Sequence, residues 1–181
     1  MRVLVDACVL YPTVMREVIL GCAAQGLFAP RWSARVLEEW ARAAGKLGPA
    51  EEVWARGEIA ALAARFPDAI VRYDSGIEAR FWLPDSGDVH VLAAAVAGSC
   101  DAILTMNAKD FPRNILDDEG LARLDPDGFM LDLWRDHPDT VAKVAFSVLA
   151  EAQRLSGADW TLRALFKKAR LPRLGKALSA G

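Results

Sequence analysis

The segment VLVDACVLYP, residues 3–12, decides the fold. Three apolar residues stand together before Asp6, without an intervening polar residue, which is typical of a short strand buried on both faces of a parallel sheet. We therefore predict a strand over Arg2–Val5. Pro12 suits the first turn of a helix, where its missing N–H costs nothing. A buried strand that leads into a helix favours an α/β fold, with Asp6 at the carboxyl end of the first strand.

The same alternation of strand and helix continues to residue 124. Further strands are predicted over 69–72, 102–105 and 121–124, and helices over 12–25, from an N-cap at Ser33 to 44, over 49–66, and over 86–98 behind a cap at Asp85. After Asp125 only helices are predicted, near 126–135, 138–155 and 159–170. The sequence thus predicts a three-layer α/β/α domain with a parallel sheet over residues 1–124, and an all-helical C-terminal extension over residues 125–181.

Four acidic residues stand where a buried segment should meet a cleft. They lie in VLVDACVLYP (Asp6), VLEEWAR (Glu39), PDSGDVHVLAAAV (Asp88) and ILTMNAKDFP (Asp110). Sites in parallel sheets form beyond the carboxyl ends of the strands. Two like charges ~4 Å apart repel by roughly 4 kcal/mol at an effective dielectric constant of 20. A cluster of carboxylates therefore predicts a bound divalent cation, and oxygen ligands suit Mg²⁺.

Each of these residues also has a structural explanation. Asp6 could cap the turn after its strand, and Asp88 could complete a capping arrangement with Asp85. Asp110 could fix the turn that follows it. Thr105 could hold a water or a phosphate, or could simply end its strand. The sequence leaves these alternatives open.

Helical periodicity does not choose the acid on the helix that begins after Ser33. Glu38 and Glu39 flank its apolar stripe almost symmetrically. His90 follows Asp88 by two residues, about 200° around a helix, so we expect it to point away from a metal at Asp88.

Composition describes an ordinary globular chain with an uneven charge. The net charge is −2, but residues 160–181 carry six basic residues and no acid, which leaves −8 on the remainder. The basic segment could contact phosphates or could be a solvated amphipathic helix. Three cysteines without CxxC spacing, and no signal or membrane-spanning segment, predict a cytoplasmic protein with reduced thiols and no membrane partner.

The four segments, in this order, resemble those of the PIN-domain ribonucleases, and more closely the VapC-type toxins with a helical C-terminal extension. The stretches that carry the resemblance are DACVLYP (6–12), LFAPRWSARVLEEW (27–40), LPDSGDVHVLAAA (83–95), ILTMNAKDFP (103–112) and LDPDGFMLDL (124–133). The resemblance covers essentially the whole chain. No single segment is very specific, but the ordered set is.

The resemblance implies a Mg²⁺- or Mn²⁺-dependent endoribonuclease that cleaves RNA by metal-activated water, usually the toxin of a type II toxin–antitoxin pair. The residues that it assigns are the catalytic acids Asp6, Glu39, Asp88 and Asp110, the metal ligands Asp6, Asp88 and Asp110, and the substrate-binding Thr105 and Asn107. Glu39 is preferred to Glu38 because the family's acid precedes an aromatic residue, here Trp40. Many relatives have aspartate at position 107, and the neutral amide should weaken metal binding somewhat.

The partners implied are an RNA substrate and an antitoxin, and a homodimer is a further role open to the extension. The alternative function is a PIN-like module that binds RNA or protein without turnover. A phosphatase that uses an aspartate after the first strand is a weak reading, because the second acid it needs two residues later is here Cys8.

Overall fold

A five-stranded parallel sheet forms the centre of the predicted α/β region. The computed structural model describes residues 1–180. The strands are β1 (Arg2–Val5), β2 (Ala29–Ser33), β3 (Ile70–Val71), β4 (Ala102–Leu104) and β5 (Ala122–Leu124). All of β4 and the last three residues of β1 are buried without alternation, so both faces of the sheet are covered. The predicted three-layer α/β fold is confirmed.

The strand order places the carboxyl ends of β1 and β4 side by side. The order is β3-β2-β1-β4-β5, so the chain adds two strands on one side of β1 and then two on the other. The register pairs Val5 with Leu104. In open parallel sheets such a reversal leaves a crevice beyond the strand ends, where ligands bind.

The prediction of only four strands was wrong, because β2 was not recognised. Its sequence, APRWS, contains Pro30, which usually argues against an interior strand. The amide of Ala29 donates to the carbonyl of Met1, just before β1, while that of Trp32 donates to the carbonyl of Ala69 on the β3 side. Pro30 would direct its amide to the β3 side too, but β3 pairs only from Trp32 onward. The missing N–H therefore removes no bond of the sheet.

The helices fall close to the predicted ranges. They are α1 (Ala7–Leu10), α2 (Thr13–Ala24), α3 (Ala34–Gly45), α4 (Pro49–Arg65), α5 (Val89–Ala97), α6 (Arg113–Asp118), α7 (Pro126–Asp136), α8 (Pro138–Ser156), α9 (Leu162–Lys168) and α10 (Pro172–Leu178), with 3-10 turns at Ser75–Arg80 and Ser86–Asp88. Ser33 caps α3, since its Oγ accepts a hydrogen bond of 3.2 Å from the amide of Val36. Helices α1, α6 and α10 were not predicted, and all three are short.

The chain divides into two compact units. The first consists of Met1–Tyr11 and Phe28–Leu124, and the second of Pro12–Leu27 and Asp125–Gly181. Helix α2 groups with the C-terminal helices in this division. The domain boundary after residue 124 stays a prediction.

The second unit is a bundle of α2 and α7–α10. Helices α2 and α8 approach closely at Gly21, where an added Cβ would lie 2.5 Å from a methyl carbon of Val144. Only glycine allows this approach. No helix within the described residues is both long and apolar enough to cross a membrane.

Asp127 joins α7 to the start of α10. Its buried carboxylate accepts hydrogen bonds of 3.0–3.1 Å from the backbone amides of Arg173 and Leu174. The first amides of a helix have no partner within the helix, and Asp127 accepts hydrogen bonds from two of them. Its negative charge also interacts favourably with the positive end of the helix dipole. It also explains why the short α10 forms.

We predict that Asp127→Ala lowers the free energy of unfolding of the second unit by about 2 kcal/mol, because two buried amides lose a charged acceptor. Thermal melting and hydrogen exchange at the amides of Arg173 and Leu174 measure the effect. The matched control is Asp136→Ala, an exposed acid at the end of the same helix. Unchanged exchange at both amides would contradict the assignment.

Candidate metal centre

Asp6 and Thr105 meet at the point where β1 and β4 end. The amide of Asp6 donates to the carbonyl of Leu104, which continues the sheet register by one residue. The hydroxyl of Thr105 then donates to Oδ2 of Asp6 at 2.7 Å. Both residues are buried, with 7% and 2% of their surface exposed. Thr105 therefore fixes the direction of the Asp6 carboxylate.

Asn107 extends this contact to a second acid. Its backbone amide donates to the Thr105 hydroxyl at 2.9 Å, and its side-chain amide donates to Oδ2 of Asp88 at 3.0 Å. A continuous hydrogen-bonded path thus runs from Asp6 through Thr105 and Asn107 to Asp88. An aspartate at position 107 could not donate to Asp88, so the neutral amide has a structural purpose here.

Three carboxylates form a tight cluster. One oxygen from each of Asp85, Asp88 and Asp110 lies within 4.8 Å of the others. Asp85 and Asp88 are brought together by the 3-10 turn Ser86–Asp88, and Asp110 comes from the loop after β4. The exposed Lys109 lies 3.7 Å from Asp110.

The electrostatics show that the other predicted acids also lie near this cluster. Burial, and after it the negative charges of Asp6, Asp85, Asp110 and Glu39 in that order of importance, together raise the pKa of Asp88 to about 6. Asp6 is thus the strongest charged neighbour of Asp88. A carboxylate in this setting favours either a proton or a cation.

Glu39 and Glu38 have different environments. Glu39 lies 2.7 Å from Nε2 of the fully buried His90. Glu38 instead contacts Arg42 and Arg56, and these hydrogen bonds lower its pKa to about 2. The charge of Glu39 is one of those that raise the pKa of Asp88. His90 is buried beside Glu39 of α3. The helical spacing between Asp88 and His90 did not predict this contact.

Arg35 connects Glu39 to the turn that carries Asp88. Its guanidinium lies 3.7 Å from Glu39 and donates to the carbonyl of Gly87 at 3.4 Å. Helix α3 and the Ser86–Asp88 turn are thereby held in one arrangement, and part of the Glu39 charge is offset.

The capping explanations are absent for two of the acids. Neither Asp6 nor Asp88 makes a side-chain hydrogen bond to a helix N-terminus in the described part of the chain. Asp85 does cap: its Oδ1 accepts from the amide of Gly87 at 2.8 Å. The carboxylate of Asp85 also belongs to the cluster, a placement that we did not predict. The signal was its spacing from Asp88, since residues three apart share a face of a helical turn.

The donor set fits a hard divalent cation. Every cluster member offers carboxylate oxygen, the ligand type that Mg²⁺ and Mn²⁺ prefer, and the sulfur and imidazole ligands typical of zinc are not part of the cluster. The partial exposure of Asp88 and Asp85 leaves room for coordinating water. The mutual repulsion of the acids is the force that a cation would relieve.

One protein family matches this chain. The sequence model of the family described as the PIN domain matches residues 2–109. PIN domains are generally nucleases that bind divalent metals through acidic residues. No curated protein and no solved structure matches.

We predict that Asp88→Asn raises the melting temperature in EDTA at pH 8. The pKa of Asp88 lies near 6 in the folded protein, above its usual 3.8, so the folded state binds the proton more tightly. Proton binding at Asp88 stabilises the folded state fully below about pH 4, and this stabilisation is lost as the pH rises to about 6. Asparagine carries no charge at any pH, so the variant does not lose stability in this way. After solvent screening the gain is about 1 kcal/mol.

Melting curves of both proteins between pH 4 and pH 8, in EDTA and in Mg²⁺, test this expectation. The asparagine retains an acceptor for Asn107, so the hydrogen bond is not a confounding change. Mg²⁺ should stabilise the native protein more than the variant, because it binds the folded state of the native site better. An identical pH dependence for the two proteins would contradict the assigned environment of Asp88.

Proposed function

The chain belongs to the PIN-domain family, and from this premise we propose that it is a metal-dependent endoribonuclease that hydrolyses RNA phosphodiester bonds. The observation that carries the proposal is the cluster of Asp85, Asp88 and Asp110 within 4.8 Å, with Asp6 as the strongest charged neighbour of Asp88. Such a concentration of negative charge suits a cation that in turn holds phosphate.

We assign Asp6, Asp88 and Asp110 as the metal ligands, and Asp85 as a further oxygen donor. A Mg²⁺ or Mn²⁺ ion bound there would offset phosphate charge and supply an activated water. Whichever of the two ions is used, carboxylate oxygens are suitable ligands.

The chain's own residues prepare this site before any ion binds. Thr105 and Asn107 direct the carboxylates of Asp6 and Asp88, since each donates a hydrogen bond of 3.0 Å or less to one of them. We had predicted that these two residues contact the substrate. That role stays a prediction, while their contacts support a positioning role. Such supporting groups are typically worth 10–100-fold in activity, to order of magnitude.

Glu39 is proposed as the fifth acid of the site. Its carboxylate lies 2.7 Å from Nε2 of His90 and 3.7 Å from the guanidinium of Arg35, and its charge acts on Asp88. It is therefore placed to hold a water or a proton at the edge of the cluster without being a direct ligand.

We predict that Asp6→Asn and Asp88→Asn each lower RNA cleavage by at least ~100-fold, because a ligand charge is lost while the shape is kept. The measurement is cleavage of total cellular RNA in Mg²⁺, Mn²⁺ or EDTA, with the new 5′ ends mapped. Discrete cuts that require both the metal and Asp88 are expected. RNA that is bound but uncut under every metal would instead favour a binding module without turnover.

Glu38 and Glu39 provide a matched pair for the same assay. Both changes to glutamine remove one charge from adjacent positions of α3. Glu39 is among the charges that raise the pKa of Asp88, whereas Glu38 pairs with Arg42 and Arg56. Glu39→Gln should reduce cleavage about 10-fold or more, and Glu38→Gln should leave it unchanged. Equal activity of the two variants would remove the helix acid from the site.

We further propose that the protein is the toxin of a toxin–antitoxin pair of the VapC type and acts in the cytoplasm, with an antitoxin that covers the acidic site. The free thiols of Cys8, Cys22 and Cys100 support a reducing compartment. The toxin role is supported by the sequence resemblance.

Induced expression in a bacterial host is expected to arrest growth, whereas Asp88→Asn at the same protein level is expected to be tolerated, because growth arrest by a toxin nuclease requires cleavage. Growth curves with matched immunoblots measure this difference. Equal growth of the two strains would argue against the toxin role and would leave the nuclease assignment to the cleavage assay.

A further inference from the structure

A cavity in the second unit combines an apolar floor with an aromatic ring and a cation. Its volume is about 340 Å³, which lies in the range of small-ligand sites. The floor is formed by Val14, Ala152 and Leu165, and Trp160 and Lys168 supply the ring and the charge. None of these residues belongs to the acidic cluster.

Trp160 is held in one orientation at this cavity. Its indole N–H donates to Oγ of Ser156 at 3.2 Å, and its carbonyl accepts from the side chain of Gln153 at 2.7 Å. The ammonium of Lys168 lies 4.9 Å from the centre of the ring. A fixed aromatic ring beside a cation is the arrangement used to bind the bases and phosphates of single-stranded nucleic acids.

Charge on α9 extends the cationic surface beyond the cavity. Arg163, Lys167 and Lys168 are exposed, and residues 160–180 contain no acid. Lys167 and Lys168 lie in the last turn, where the helix dipole favours cations. Arg163 lies in the first turn of α9, where the helix dipole disfavours a cation. It also lies four residues before Lys167, so the two positive charges repel each other. A bound anion would offset both.

A neighbouring cavity limits where an anionic chain could run. It has a volume of about 210 Å³ and carries the acids Glu17 and Glu151. Arg16 and Arg154 pair with these acids, so this cavity offers phosphates little net positive charge, and α9, which carries no acid, attracts them more strongly. The charge pattern therefore defines one direction for a polyanion, from the Trp160 cavity along α9.

We propose that this cavity is an RNA-binding subsite of the second unit. Trp160 contacts an unstacked base, and Lys168, Lys167 and Arg163 contact the adjoining phosphates. Charge complementarity favours single-stranded RNA over a protein segment as the occupant, and the choice of RNA rests on the proposed function. The subsite holds substrate and takes no part in cleavage, so its loss raises KM and leaves kcat unchanged.

Fluorescence anisotropy of the full chain with a short, labelled, single-stranded RNA of mixed sequence tests the proposal. EDTA is present throughout, so that binding is measured without cleavage. Trp160→Ala is expected to raise Kd roughly 10-fold, while Trp160→Phe, which keeps an aromatic ring, restores most of the affinity. Lys168→Gln is expected to reduce the salt dependence of log Kd by about 0.7, the value for one phosphate contact on a single strand.

Matched controls come from α8 of the same unit. Lys143→Gln removes an exposed cation and Phe146→Ala an exposed ring, and neither residue lines the cavity. Both should bind RNA as the native chain does.

Native affinity in Trp160→Ala and Lys168→Gln would overturn the subsite and favour a protein ligand for this groove. Equal weakening in all variants, controls included, would overturn it too. If RNA binds through Trp160 but is not cut in Mg²⁺ or Mn²⁺, the nuclease proposal fails and the subsite stands.

Discussion

Repulsion among carboxylates at one edge of the sheet is the constraint on which the site depends. Asp6, Asp85, Asp88 and Asp110 are drawn together by the backbone, although in isolation their charges would separate them. Hydrogen bonds from Thr105 and Asn107 offset part of this cost without adding positive charge. The fold therefore keeps a strongly negative site in a defined geometry, which a site lined with lysine or arginine would not achieve.

The strand order explains how distant segments reach the same place. Because β4 returns to the free side of β1, the loop after β4 delivers Thr105, Asn107 and Asp110 next to Asp6. The segment that connects β3 to β4 contains α5 and the 3-10 turn before it. This turn brings Asp88 to the same edge of the sheet. Parallel topology brings all these carboxylates to one edge, so the acids need no proximity in sequence.

Much of this arrangement can be predicted from the sequence. The apolar runs before Asp6 and Thr105 identify central parallel strands, and Ser33 marks a helix start by local hydrogen bonding. Local sequence patterns do not show the effect of contacts between residues that are distant in sequence. Strand β2 tolerates Pro30 because β3 does not reach the level of the missing N–H. Glu38 and Glu39 differ through contacts with other helices, Arg56 of α4 beside Glu38 and His90 of α5 beside Glu39. Asp85 was missed because capping already explained it, although one carboxylate can serve both purposes.

The placement of α2 has a consequence for the order in which the protein folds. This helix is made early, soon after β1 and the short α1, yet its close-packing partner at Gly21 is Val144 of α8, which is synthesised far later. Until α8 is synthesised, the apolar face of α2 has no partner within its own unit. Chaperones could bind this exposed face during synthesis. A chain shortened after Leu124 would keep every acid of the site. Its helix α2, however, would lack the other helices of its bundle. The segment that matches the family model therefore includes a helix whose close-packing partner lies outside it.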